Sequence, residues 1–264
     1  MKRKLSRAMV LLAAALLNGC GAAGDDSPRE PLTLVISAAS DLQLVFQEIA
    51  AEFERETGLR VVLNFGASGQ LAQQVAQGAP VDVFASADAG YVDELEAEGL
   101  IVPDTRLVYG RGRLALWSRA DARVRVQRIE DLTRPFIRRI AIANPEHAPY
   151  GVAAREALQN AGIWEAIQPK LVLGEDVRQA MQYAETGNAE VALVAYALTI
   201  EMGGHTVEVP DSLYQPLEQT LAVVQDPPHE AEAYLFVEWL QQSPVAREVL
   251  NRYGFGTGEE ELIP

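Results

Sequence analysis

The chain is poor in the residues on which several classes of protein depend. Its one cysteine, Cys20, rules out an internal disulfide. Its three histidines include no pair at the spacing of metal ligands. It has no basic patch, and its formal net charge is −15, so nucleic acid is not an expected partner. An anion would have to be held by local dipoles rather than by bulk charge.

The N-terminal residues have the pattern of an export signal. Four basic residues precede or border an apolar run, 9–17, that is too short to span a membrane. The sequence Leu17-Asn18-Gly19-Cys20 resembles a bacterial lipoprotein signal, with Cys20 as the lipidated first residue of the mature chain. The alternative is an ordinary secretory signal with a chance cysteine. We predict a signal peptide over residues 1–19, whose removal takes the net charge from −15 to −19.

A short polar segment separates the signal from the fold. Residues 20–31 are small, polar and proline-containing, which is typical of a flexible tether. After it, three apolar strand-like runs are each followed by a helical pattern, which predicts a parallel sheet covered by helices. The strands are expected at 33–37, 60–65 and 81–85 and the helices at 41–58, 70–77 and 88–98.

A second unit of alternating strands and helices begins near Leu107. Its expected strands are 113–118, 139–143, 171–173 and 191–194, and its expected helices lie near 129–132 and at 152–161 and 175–185. A late strand, 220–224, and two helices complete the chain. We therefore predict two α/β lobes, 32–110 plus 220–264 and 111–219, with a ligand cleft between them.

Three side chains at strand-to-helix turns are candidates for an anion site. Ser40 and Ser68 each follow a strand and precede a helix. Each hydroxyl could cap its helix, or it could donate to an oxyanion at the carboxyl edge of the sheet. Tyr150 lies in the loop 144–151, and its ring could either plug the space between the lobes or offer its hydroxyl to the anion. The neighbouring His147 is expected to be structural, since no serine–histidine–acid set surrounds it.

Six fragments, taken in order, are similar to the substrate-binding proteins of molybdate and tungstate ABC transporters. Each fragment is weak alone, but their order and spacing extend over about 220 residues. The fragments are Ala38–Leu42, Phe65–Leu71, Gly78–Asp88, Asn144–Gly151, Gly174–Ala180 and Arg252–Phe255.

The resemblance implies the type II periplasmic binding fold, in which two α/β lobes joined by a hinge close on a tetrahedral oxyanion. It assigns the first-lobe donors to Ser40 and Ser68 and a backbone N–H donor to Val177. Some members use a tyrosine where this chain has Ala195. Members with the Ala-Pro-Tyr-Gly loop take the hydroxyl from there, so Tyr150 is the expected donor, with Tyr196 as the alternative. None of these residues would coordinate the metal atom of the anion directly.

The resemblance also implies a function. The chain would be a monomeric periplasmic lipoprotein that needs no cofactor, captures molybdate or tungstate and delivers it to an ABC transporter permease. A binding protein for another oxyanion such as sulfate is the alternative. A porphobilinogen-polymerising deaminase on this fold would need a cofactor-attaching cysteine within the domain, and Cys20 lies outside it. A transcription-factor effector domain would need a DNA-binding helix-turn-helix where this chain has an export signal.

Overall fold

A computed structural model describes residues 32–122 and 124–256. The predicted signal peptide, the lipidation site Cys20 and the tether 20–31 lie outside the described residues. Two five-stranded sheets with flanking helices make up this part of the chain. In these ranges, no helix has both the length and the apolar character that crossing a membrane requires.

The strands alternate with helices along most of the chain. The strands are β1 Thr33–Ala39, β2 Arg60–Gly66, β3 Val83–Ser86, β4 Leu107–Gly112, β5 Leu114–Ser118, β6 Ile140–Ala143, β7 Leu171–Gly174, β8 Val191–Ala195, β9 His205–Glu208 and β10 Leu217–Val223. The helices are α1 Gln43–Thr57, α2 Ser68–Ala76, α3 Ala89–Ala97, α4 Pro149–Asn160, α5 Trp164–Ile167, α6 Val177–Glu185, α7 Tyr196–Thr199, α8 Glu230–Gln242 and α9 Pro244–Arg252. Short 3-10 turns cover Ser40–Leu42, Ile129–Thr133, Gln168–Lys170 and Asp211–Leu213.

The first sheet has the strand order β2-β1-β3-β10-β4. As predicted from the alternating pattern, β1 is parallel to both β2 and β3. The sheet is nevertheless mixed, because β10 lies between β3 and β4 and is antiparallel to both. The last strand of the sequence therefore completes a sheet that the first residues began.

The second sheet has the order β7-β6-β8-β5-β9 and is also mixed. Strand β6 is parallel to β7 and β8, and β5 is antiparallel to β8 and β9. The chain passes from the first sheet to the second between Gly112 and Leu114, and it returns between Glu208 and Leu217. The two sheets are the cores of two lobes.

Apolar periodicity explains how the helices cover the sheets. On α1 the buried side chains of Val45, Phe46, Ile49 and Phe53 recur at steps of three and four residues and form one apolar stripe. The helix ends at Gly58, whose φ of 74° is the left-handed conformation that glycine adopts at helix C-termini. Phe53 packs edge-on against Phe236 of α8, so the C-terminal helices share the core of the first lobe.

Candidate functional site

Four strand-to-helix connections meet between the two sheets. In the first lobe β1 leads into the turn Ser40–Leu42 and β2 leads into α2; in the second lobe β6 leads into α4 and β7 leads into α6. Each connection presents first-turn N–H groups, which have no partner within their own helix. Four such ends therefore surround the position where ligands bind in open parallel sheets, outside the carboxyl ends of the strands.

These connections enclose one cavity, and all four residues predicted to bind an oxyanion line it. The predicted residues are almost fully buried, with exposed fractions of 3% for Ser40, 0% for Ser68, 2% for Tyr150 and 3% for Val177. The lining consists of Ala39, Ser40, Asp41, Gly66, Ala67, Ser68, Ala87, Ala148, Pro149, Tyr150 and Val177. The fold thus brings together predicted residues that lie up to 137 positions apart in the sequence.

The Ser68 hydroxyl accepts one hydrogen bond and can still donate another. It is the first residue of α2 rather than its cap, because Ala67 holds the cap position and no side chain caps this helix. The Ser68 Oγ instead accepts a hydrogen bond from the Ala87 N–H at 3.1 Å. A hydroxyl that accepts in this way still has its own hydrogen to donate. The capping alternative for Ser68 is therefore wrong.

Ser40 also begins its turn without capping it. The cap position of the 3-10 turn belongs to Ala39, and the next helix, α1, has Leu42 at its cap. The Ser40 side chain lies on the cavity wall, and the turn packs against α6 of the second lobe. The capping alternative therefore fails for both serines.

Tyr150 and Val177 belong to the first turns of their helices. Helix α4 begins at Pro149, three residues earlier than the sequence pattern predicted, so Tyr150 is its second residue. Proline is favoured at this start because it has no N–H to leave unpaired. Val177 is the first residue of α6, after Asp176, whose side chain caps the helix by accepting from the Gln179 N–H at 2.9 Å. Both positions offer a backbone N–H, and Tyr150 also offers a hydroxyl.

Asp41 is a cavity residue that the sequence analysis did not single out. It is 1% exposed, and its Oδ2 accepts a hydrogen bond from the Gln219 side-chain amide at 3.0 Å. Its Oδ1 and the Tyr150 hydroxyl oxygen are the two buried side-chain atoms without a hydrogen-bond partner in the described ranges. The only sequence signal for Asp41 was its position directly after Ser40.

Burial controls the ionisation of this group of side chains. It raises the pKa of Asp41 from 3.8 to about 7, although the nearby Tyr150 hydroxyl and hydrogen bonds from the backbone and Gln219 oppose the rise. Burial also raises the pKa of Tyr150 well above 10, and the negative charge of Asp41 adds to that rise. The tyrosine hydroxyl therefore keeps its hydrogen at neutral pH, whereas the carboxyl group can exist in either form.

The cavity wall has no cationic side chain. None of the described residues that line it is lysine, arginine or histidine. In the ranges that the structure describes, no three His, Cys, Asp or Glu side chains converge as metal ligands do. An anion here would be held by hydroxyl and N–H dipoles.

Tyr196, the alternative donor, is directed elsewhere. It starts α7, one residue after Ala195 at the end of β8, and it does not line the cavity. Its ring lies under the Arg113 guanidinium, with the Cζ atom 4.1 Å from the ring centroid.

Hydrogen bonds between the lobes close the cavity. The Gly69 N–H, at the start of α2, donates to the His147 carbonyl at 2.9 Å. The Gln70 side-chain amide lies 3.0 Å from Glu175 Oε2 and 3.2 Å from His147 Nε2. His147 thus takes part in the contact between the lobes through both its carbonyl and its ring. These contacts between the lobes would have to break for the cleft to open.

Comparison with known proteins fits this geometry. Residues 34–256 match the family of bacterial extracellular solute-binding proteins. The chain is 38% identical over 225 residues to the molybdate-binding protein ModA of Rhodobacter capsulatus, covering 85% of this chain and 88% of that protein. It is 33% identical over 252 residues to YvgL of Bacillus subtilis, described as a putative ABC transporter substrate-binding lipoprotein, covering 93% of this chain and 95% of that protein.

A solved structure supports the same relationship. The periplasmic molybdate-binding protein of Azotobacter vinelandii superposes with a TM-score of 0.81 at 29% identity, over 86% of this chain and 100% of that chain. The α/β fold predicted from the resemblance, with two lobes on either side of a ligand cleft, is therefore confirmed. The chain belongs to the bacterial extracellular solute-binding proteins and is a relative of the molybdate-binding proteins.

Proposed function

We propose that this protein captures molybdate or tungstate outside the cytoplasm and delivers it to an ABC transporter permease. The observation that carries the proposal is the buried cavity between the lobes, whose wall is neutral apart from Asp41 and which offers hydroxyl and backbone N–H groups. The relatives named molybdate-binding protein support the choice of anion. We propose Ser40, Ser68, Tyr150 and Val177 as the residues that bind it.

The chemistry of these groups suits a fully deprotonated tetrahedral anion. Each hydrogen bond to a charged acceptor contributes about 1.5–3 kcal/mol, and several together exceed an association cost of several kcal/mol. Sub-micromolar affinity corresponds to about 8 kcal/mol or more. All four oxygens of molybdate accept hydrogen bonds, so a site of donors suits them, whereas the P–OH hydrogen of phosphate would need an acceptor in place of one of these donors. Sulfate has the same charge as molybdate but is smaller, so cavity size must discriminate between them.

Closure of the two lobes would couple binding to transport. We propose two lobes near the predicted bounds, residues 32–110 with 220–264 and residues 111–219. We place the hinge where the chain crosses between the sheets, which lies between Gly112 and Leu114 and between Glu208 and Leu217, so that β4 and β10 belong wholly to the first lobe. Ser40 and Ser68 belong to one lobe and Tyr150 and Val177 to the other, so the complete donor set exists only in the closed form. A ligand that gains contacts only on closure shifts the population to that form. The closed form would then dock on the permease.

The same proposal includes the cellular context. We propose that residues 1–19 direct export, that the mature protein is anchored to a membrane through a lipid on Cys20, and that it works in the periplasm as a monomer. The similarity to a protein described as a lipoprotein supports the anchor. We further propose that it binds without catalysing a reaction, since the relatives are binding proteins of transport systems.

Isothermal titration of the purified protein with molybdate, tungstate and sulfate tests the choice of anion. We expect sub-micromolar binding of molybdate and tungstate and at least 100-fold weaker binding of sulfate. Sulfate affinity equal to or better than that of molybdate would reverse the assignment in favour of the alternative.

Replacing Tyr150 by phenylalanine tests the second-lobe donor. The Tyr150→Phe change removes the hydroxyl but keeps the ring and the backbone N–H, so we expect molybdate binding to weaken by roughly 1–3 kcal/mol. Tyr196→Phe is the matched control, because that ring lies off the cavity wall. An affinity that Tyr150→Phe leaves unchanged would remove the hydroxyl from the site.

A further inference from the structure

We infer that Asp41 is a positioning residue of the anion site. Its carboxyl group is protonated when the anion is bound, and its O–H donates a hydrogen bond to the Tyr150 hydroxyl oxygen. The hydrogen of the Tyr150 hydroxyl is then free to bond to the anion. This inference rests on the proposed function. Its consequence is that binding takes up a proton from solution. Affinity should therefore fall as the pH rises, although the anion itself keeps the same charge.

The first support is the position of the carboxyl group. Asp41 lines the cavity directly beside Ser40 and is 1% exposed. Its Oδ2 is used by the Gln219 amide, which can only donate at that contact. Its Oδ1 is buried without a partner, as is the Tyr150 hydroxyl oxygen. If Asp41 Oδ1 carries a proton, it can donate a hydrogen bond to the Tyr150 hydroxyl oxygen. Both of these buried atoms then have a partner.

The second support is the electrostatics of a dianion beside a carboxyl group. An ionised Asp41 would repel the anion within a cavity whose described wall has no cationic side chain. It would also compete with the anion for the hydrogen of the Tyr150 hydroxyl, because a carboxylate is an acceptor only. A protonated Asp41 removes both effects. The bound state is therefore the state in which the carboxyl group is neutral.

The groups around Asp41 reinforce this preference. Those that face it are the Tyr150 and Tyr109 hydroxyls, neutral at physiological pH, and the Asp176 carboxylate, whose charge raises the pKa of Asp41 further. The other charged groups on the elements that pack around the Ser40–Leu42 turn are engaged elsewhere. Arg178 pairs with Glu185, Glu48 pairs with Arg252, and Arg113 pairs with Glu208 and stacks on Tyr196. Arg60 lies at the opposite end of β2.

The sign of the linkage follows from these contacts. In the closed form without ligand the pKa of Asp41 is raised to about 7, chiefly by burial, and a bound dianion would raise it further. When the pKa of a group is higher in the complex than in the free protein, its full contribution to binding is present at pH values below the pKa of the free protein. That contribution is lost as the pH rises through the pKa of the complex. Between these two pKa values the dissociation constant should increase by up to about tenfold per pH unit.

Titration calorimetry of the purified protein with sodium molybdate, from about pH 6.5 to pH 8.5, tests the inference. Parallel titrations in two buffers of different ionisation enthalpy measure the protons taken up, with up to about one expected per anion. This measurement needs no variant, so it stands even if a substitution fails to fold. A proton uptake of zero with a dissociation constant independent of pH would overturn the role of Asp41. Absence of molybdate binding at every pH would instead overturn the proposed function.

Two variants separate Asp41 from a general effect of charge. Asp41→Asn supplies an amide donor that does not titrate, so we expect its molybdate affinity to lose the dependence on pH. Asp176→Asn is the matched control, because it neutralises the neighbouring carboxylate and asparagine caps helices as well as aspartate does. The control should keep the pH dependence. A pH dependence of molybdate affinity that persists in Asp41→Asn and disappears in Asp176→Asn would assign the proton to Asp176 and overturn the inference.

Discussion

The contact between Gly69 and His147 predicts that a single methyl group will hinder closure of the cleft. Gly69 is the second residue of α2 in the first lobe, and its N–H donates to the His147 carbonyl of the second lobe. A β-carbon on Gly69 would lie 2.9 Å from that carbonyl oxygen and 2.9 Å from the Tyr91 hydroxyl. The carbonyl is backbone, so the second lobe itself must withdraw by about half an ångström to restore an ordinary contact.

The expected magnitude follows from the interactions that this shift disturbs. Weakening the Gly69 to His147 hydrogen bond costs about 0.5–1.5 kcal/mol. Tyr91 belongs to α3 of the first lobe, so moving its side-chain hydroxyl aside affects the open and closed forms alike. We therefore expect Gly69→Ala to weaken molybdate binding by about 0.5–1.5 kcal/mol, or roughly 2- to 12-fold in Kd. This cost to the hydrogen bond arises only when the lobes close. The midpoint of thermal unfolding without ligand should therefore stay level or rise, because alanine is favoured over glycine in a helix by about 0.5–1 kcal/mol.

Gly90→Ala is the matched control for this prediction. Gly90 is likewise the second residue of a helix in the first lobe, α3, and its added β-carbon would meet only the Asp88 side chain, 3.2 Å away. Titration calorimetry and thermal unfolding of both variants give the comparison. Equal affinities of Gly69→Ala and Gly90→Ala for molybdate would refute the reasoning. A drop in the unfolding midpoint of Gly69→Ala would do so as well, since it would make the contact part of folding rather than of closure.

Three further predictions concern the site and the anchor. Ser68→Ala removes a hydroxyl that accepts from the buried Ala87 N–H, so it should lower both the molybdate affinity and the free energy of unfolding by about 1–3 kcal/mol each. Ser68→Thr keeps the hydroxyl and should restore the free energy of unfolding. For Asp41, the folded-state pKa of about 7 exceeds 3.8, so its contribution to stability is complete below about pH 4 and is lost as the pH rises through 7. Asp41→Asn should flatten this dependence in denaturant titrations and, at pH 8, raise the free energy of unfolding by on the order of 4 kcal/mol; parallel curves for both proteins would contradict this. Cys20→Ala should abolish labelling by a fatty-acid analogue in cells and release the protein from the membrane fraction, whereas persistent labelling would exclude Cys20 as the lipidated residue.

The local elements of this fold were predictable because each depends on neighbouring residues. The apolar stripe of α1 and the glycine that ends it are visible as spacing in the sequence. The candidate serines were visible for the same reason, since a polar residue directly after a buried strand falls at the carboxyl edge of a sheet. The start of α4 was placed too late, because Pro149 looked like a loop residue although proline is favoured at the first helical position.

The residues alone could not select Val177. A valine side chain offers no hydrogen bond, and its relevance comes from a backbone N–H at the first position of α6, on the cavity wall. Only the resemblance to known binding proteins suggested that position. The same limit applies to the choice between Tyr150 and Tyr196, since both follow strands and only the packing shows which ring lies on the cavity wall.

What the sequence determined by itself is the set of strands and helices, the export pattern and the polar residues at the strand ends, because these follow from local spacing and composition. The tertiary structure decided which of those ends meet. It inserted β10 between β3 and β4, set Gln219 against Asp41 across 178 positions of the chain, and left a buried carboxyl oxygen beside the cavity. Such contacts depend on the packing of distant segments, and burial, which shifts the pKa of Asp41, is a property of that packing alone.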